Sequence, residues 1–67
     1  MDTIARVKQL SEEHNVTLYQ LAKMAGITYS TLKNTELRNG QLKVDTIERI
    51  CIGLNIPMSE FFEEPQA

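Results

Sequence analysis

With 67 residues and a single cysteine, the chain is expected to form one domain near the lower size at which an apolar core holds itself, and an internal disulfide or a cysteine-rich zinc site is excluded. No apolar run approaches the length of a membrane span and MDTIARVKQ lacks a signal-peptide core, so a cytoplasmic protein with no membrane partner is expected. The net charge of −2 is unevenly spread: −1 over residues 1–16, +3 over residues 17–43 (Lys23, Lys33, Arg38 and Lys43 against Glu36), and −4 over residues 44–67.

Asp2 or Thr3 can cap a first helix running to about Glu13. Ile4, Val7 and Leu10 recur every three residues and give it one buried stripe, with Ala5 alongside. Arg6, Lys8, Gln9, Glu12 and Glu13 fall on the wet side of that helix. His14 and Asn15 end it, and Val16 enters the core. His14 has no second histidine, neighbouring cysteine or carboxylate pair around it, so it reads as a helix-end residue rather than a ligand or proton carrier.

Thr17 is an N-cap signal before LYQLAKMA, in which Leu18, Leu21, Ala22 and Ala25 follow helical period. Gly26 can take the left-handed conformation that ends a helix, and Thr28 offers a second cap before YSTLKNTE. The stretch therefore predicts helix, glycine turn, helix. Ala22 stands where the second of these helices would cross closest, and Ile27 and Leu32 can pack back onto Leu21 and Ala25. That leaves Tyr29, Ser30, Lys33 and Asn34 on the opposite face, with Thr31 at its edge. Hydroxyls, an amide and a cation have no packing purpose there, but they suit base edges and phosphates in a major groove.

Asn39-Gly40 is a turn dipeptide that closes the second helix by about Arg38. From Val44 to Leu54 a further helix buries Ile47, Ile50, Cys51 and Leu54, with Asp45 and Glu48 near its positive end. Cys51 falls within the apolar stripe and reads as a small buried hydrophobe. Gly53 weakens the end of this helix, and Asn55 is its left-handed cap. Pro57 suits the first turn of a short last helix over MSEFFEE. Phe61 and Phe62 point about 100° apart on a helix, so one fills the domain and the other is left for a partner. Residues 65–67 are expected to fray.

The order Leu21, Ala22, Ala25, Gly26, Ile27, Leu32 and Glu36 resembles the helix-turn-helix of phage repressors and Cro, the XRE family, and DTIERICIGLNIPMSEFF is similar to that domain's fourth and fifth helices. The resemblance covers nearly the whole chain. It implies an all-α, five-helix, lambda-repressor-like domain over residues 1–67, with the motif at 17–36, that binds double-stranded DNA. By position it places Tyr29, Ser30 and Asn34 on bases, and Thr28 and Thr31 on phosphates or the groove wall, with Lys33 within reach of either. Thr17 joins this DNA-facing set, and the loop residues Arg38, Asn39 and Lys43 would follow the backbone. The chain departs from the family pattern at four positions. Leu18 replaces a glutamine, Thr35 an apolar residue and Arg38 a glycine, while Ser11 replaces the arginine that pairs with the residue matching Glu36.

One such module offers few base contacts, so specific binding calls for two half-sites and a homodimer on an inverted repeat. Leu54, Ile56, Met58, Phe61 and Phe62 are the expected dimer surface. A basic face can coexist with an acidic total because screening confines each charge to about 8–10 Å at physiological salt. The function expected is a sequence-specific transcriptional regulator, most simply a repressor; the rival is a protein-binding module of the same fold that has lost DNA binding. No catalytic triad, metal cluster or phosphate loop can be assembled, so neither an enzyme, a cofactor, a metal nor a small-molecule ligand is expected.

Overall fold

The computed structural model describes residues 1–63, and these form α1 (Thr3–Glu13), α2 (Leu18–Ala25), α3 (Tyr29–Leu37), α4 (Val44–Leu54) and α5 (Met58–Phe61), with no strand among them. The three capping side chains read from the sequence all act. Asp2 Oδ1 accepts from the backbone N–H of Ile4 at 3.0 Å and of Ala5 at 3.2 Å. Thr17 and Gln20 form a reciprocal box: Thr17 Oγ1 accepts from Gln20 N at 3.0 Å, and Gln20 Oε1 accepts from Thr17 N at 2.8 Å. Thr28 Oγ1 accepts from Thr31 N at 3.3 Å.

One device ends four of the helices. Asn15, Gly26, Asn39 and Asn55 are left-handed, with φ of 57°, 73°, 54° and 59°. The next N–H in each case returns to the carbonyl five residues back: Val16 to Ser11, Ile27 to Ala22, Gly40 to Thr35 and Ile56 to Cys51. This closure satisfies carbonyls that a helix end leaves unpaired, at positions where asparagine or glycine bears the smallest steric penalty. It also turns Val16, Ile27 and Ile56 inward, where each packs half-buried against the core.

The core is continuous from α1 to α5, and its largest fully buried side chains are Val7, Leu10, Leu21, Ile50 and Phe61. The expected stripes of α1, α2 and α4 are in it except Leu18, which is half-buried against it, and Thr35 joins Leu32 beneath α3. Burying the Thr35 hydroxyl is harmless because it donates to Thr31 O at 2.8 Å.

Packing overturns four expectations. Arg6 is not on the wet side: it is 7% exposed, and its guanidinium donates from Nε to Phe61 O at 2.7 Å and from Nη2 to Glu60 O at 2.6 Å. Ala5, expected beside the buried stripe, is exposed instead. Between α4 and α2, Gly53 lies close against the backbone of Met24 and Ala25. The last helix is only Met58–Phe61, with Pro57 as its N-cap rather than inside its first turn and Phe62 as its C-cap. Leu54 and Phe61 are buried in this protomer and so are unavailable to a dimer, whereas Phe62 remains exposed with its ring edge-on to Phe61. The fraying expected of residues 65–67 lies outside the described residues. No helix among those described is long and apolar enough to cross a membrane.

Candidate nucleic-acid interface

Two anchors aim α3. Gly26 turns the chain out of α2, and Leu32 with Thr35 fastens the inner side of α3 to the core. The helical period then leaves Tyr29, Ser30, Thr31 and Asn34 exposed on one side of the molecule, as expected. Thr28, Ser30 and Thr31 form a hydroxyl cluster around Thr28 Oγ1, with separations of 3.0 Å to Ser30 Oγ and 2.9 Å to Thr31 Oγ1. These rotatable donors and acceptors can be redirected from one another to a phosphate oxygen at small cost.

Lys33 is more constrained than expected. Its ammonium lies 3.3 Å from Glu36, whose other carboxylate oxygen pairs with Lys8 of α1. Glu36, which Ser11 cannot serve, is paired instead by Lys8, one helical turn before Ser11 in α1. The hydrogen bond from Lys8, then that from Lys33, holds the Glu36 carboxyl below its ordinary pKa, and the same pair raises that of Lys8. The triad ties α1 to α3 and leaves a net positive charge at the edge of the exposed face.

On the other flank, a groove of about 390 Å³ runs between α3 and the start of α4, lined among others by Thr31, Asn34, Arg38 and Lys43. Lys43 is the N-cap of α4 and makes no side-chain capping bond, so the first N–H groups of an 11-residue helix lack that partner. With Lys43 and Arg38 beside them, these N–H groups suit an anionic oxygen. Among the described residues Lys23, Arg38 and Lys43 form no ion pair. Asn39 is also exposed on this loop, and Thr17 at the start of α2 on the opposite flank.

Thr3 holds the loop in place, a role with no signal in the local sequence. Its N–H and hydroxyl donate to Gln41 Oε1 at 2.9 and 2.7 Å, and the hydroxyl accepts from Leu42 N at 2.9 Å. Thr3→Val keeps the shape but leaves the buried Leu42 N–H unpaired. It is expected to lower stability by about 1–2 kcal/mol in urea titration and to weaken DNA binding through the loosened loop; an unchanged midpoint would refute this role.

Sequence reading also passed over Tyr19 and Leu37, both exposed beside this surface. Their signal was available, since each is a large side chain lying off its helix's apolar stripe. The thiol of Cys51 is buried and pushed up in pKa by that burial, then by Glu60 and Glu48, which suits a core residue rather than a nucleophile.

A capped helix, a left-handed glycine and a second helix with an outward polar face define a helix-turn-helix domain. The family model of the Cro/C1-type HTH DNA-binding domain matches residues 6–66, and the chain belongs to that family of double-stranded DNA binders. It is similar to the HTH-type transcriptional regulator SutR of Escherichia coli (strain K12), with 32% identity over 72 residues covering all of this chain and 40% of SutR. The chain thus spans about two-fifths of that relative's length. No solved structure matches it.

Proposed function

We propose that the protein is a transcriptional regulator, acting as a repressor, that binds an inverted-repeat operator as a homodimer with α3 in the major groove. The observation that carries this reading is the two-sidedness of α3: Leu32 and Thr35 are locked inside while Tyr29, Ser30 and Asn34 stand outside. A helix with its side chains is about 10–12 Å across, a fit to a groove roughly 12 Å wide. Asn34 is the bidentate reader of an adenine, and Tyr29 and Ser30 contact neighbouring base edges. Thr28, Thr31 and Lys33 meet phosphates or the groove wall. Thr17 on one flank, and Arg38, Asn39 and Lys43 with the start of α4 on the other, grip the two backbones. Regulation is read from the relative, whose name describes a transcriptional regulator.

Dimerisation rests on the few base contacts that one module makes, and Phe62 with the half-buried Ile56 and Met58 is the accessible apolar surface for it. Ile52, 73% exposed on α4, extends the choice of contacts.

Selection of bound sites from random duplexes tests motif, symmetry and spacing together. A two-fold symmetric site is expected, with the complex sedimenting as two protomers per duplex. Asn34→Ala should cost about 1–3 kcal/mol per half-site and relax preference at one base pair. If each protomer neutralises three or four phosphates, log K for the dimer falls with log salt at a slope of roughly −5 to −7. An asymmetric site bound by one protomer would overturn the dimer, and a slope near zero would overturn the assigned basic flanks in favour of a protein-binding module.

A further inference from the structure

We infer that Tyr19 is a specificity-determining residue, which with Tyr29 forms an aromatic patch that reads the C5-methyl group of one thymine in each half-site. The inference rests on the DNA-binding reading above and deepens it. Tyr19 belongs to α2, not to the helix assigned to the groove, yet its ring centroid lies 6.1 Å from that of Tyr29, with the planes inclined at 59°. The two rings are 58% and 37% exposed, so the first turns of α2 and α3 share one aromatic surface bordering the outward face of α3. Lys23 stands over the Tyr19 ring at 5.7 Å and Lys33 over the Tyr29 ring at 6.0 Å. A cation on each ring restrains it and places positive charge at both rings of the patch.

Exposed aromatic area flanked by cations suits an apolar feature set between anions. In the major groove the edges of the bases offer hydrogen-bond donors and acceptors, and the apolar protrusion is the thymine methyl. A phosphate would use the two ammonium groups but leave the ring faces unmatched. A methyl against the rings, with the lysines directed to the strands on either side, uses both. Tyr29 alone offers a ring at the helix edge; Tyr19 supplies the second wall, which makes this contact dependent on a residue outside α3.

The test uses the full chain and the duplex it selects. Each thymine is replaced in turn by uracil, which removes the methyl and leaves every hydrogen-bonding group. For the unaltered protein, one position per half-site should lose about fourfold in affinity, the worth of one buried methyl, and roughly 15-fold when both symmetric positions are changed. Tyr19→Ala, an exposed change whose folding circular dichroism verifies, should bind thymine and uracil sites equally, while Tyr19→Phe should keep the discrimination. Equal binding of thymine and uracil sites by the unaltered protein, or discrimination that survives Tyr19→Ala, overturns the methyl contact alone. Failure to select any duplex overturns the DNA-binding reading and the contact together.

Discussion

Gly53→Ala is expected to remove about 3 kcal/mol of the protein's stability, although helix propensity taken alone predicts a gain. Alanine inside a helix is favoured over glycine by about 1 kcal/mol. Here the added Cβ would stand 2.6 Å from Met24 O, 2.7 Å from Met24 C and 2.9 Å from Ala25 N. All three are backbone atoms, so no side chain can rotate away and α4 must separate from α2. That contact is the most extensive between any two helices of the fold. Overpacking of this kind costs about 3 kcal/mol, against a total of roughly 3–10 kcal/mol for a domain of this length. Because α2 ends at Gly26, its displacement also re-aims α3, so the fraction that remains folded should bind DNA more weakly. Urea titration followed by circular dichroism reads the first effect. A midpoint raised by the substitution would mean that the two helices do not meet at Gly53.

Arg6→Met should release α5. The guanidinium closes the end of that four-residue helix by donating to the carbonyls of Glu60 and Phe61, and Nη1 is held by Gln9 at 2.7 Å with Glu13 at 3.6 Å. Methionine keeps the apolar stem but leaves those carbonyls without their charged donor. Hydrogen bonds to charged groups contribute about 1.5–3 kcal/mol, and a loss in the upper part of that range is expected. Arg6→Lys should restore little, because one ammonium cannot reproduce the fork that bridges two successive carbonyls. Amide exchange should accelerate across residues 58–63 and at α1 near Arg6, while the exposed face of α3 stays in place. Unchanged exchange in α5 would show that Phe61 alone fastens it. If the dimer surface is at Phe62, the same variant should dimerise less well at equal DNA contact.

The five helices were legible because their signals are local. Asp2, Thr17 and Thr28 act within three residues of themselves, and the left-handed Gly26 and Asn55 close their own helices. The stripes of α1, α2 and α4 follow from helical period, which any sufficiently amphipathic segment displays. The polar face of α3 was readable for the same reason, since a helix pinned by Leu32 must present Ser30 and Asn34 on its other side. What periodicity misjudged were residues whose partners lie far along the chain. Arg6 has the spacing of a solvent-facing residue and becomes buried only because α5 returns 54 and 55 residues later with two carbonyls in reach of its guanidinium. Lys8 has no local reason to meet Glu36, 28 residues away, and Thr3 none to hold Gln41 and Leu42.

The amino-acid order by itself thus determined where α1 to α4 begin and end, which stripe they bury, and that α3 turns hydrogen-bonding side chains outward. These properties depend on backbone groups and neighbours within a turn or two. Tertiary structure decided which phenylalanine enters the core, why position 53 must lack a side chain, and how Tyr19 comes to stand beside Tyr29. Each depends on the distance between helices, and that distance is set by the packing of the whole core rather than by any one segment.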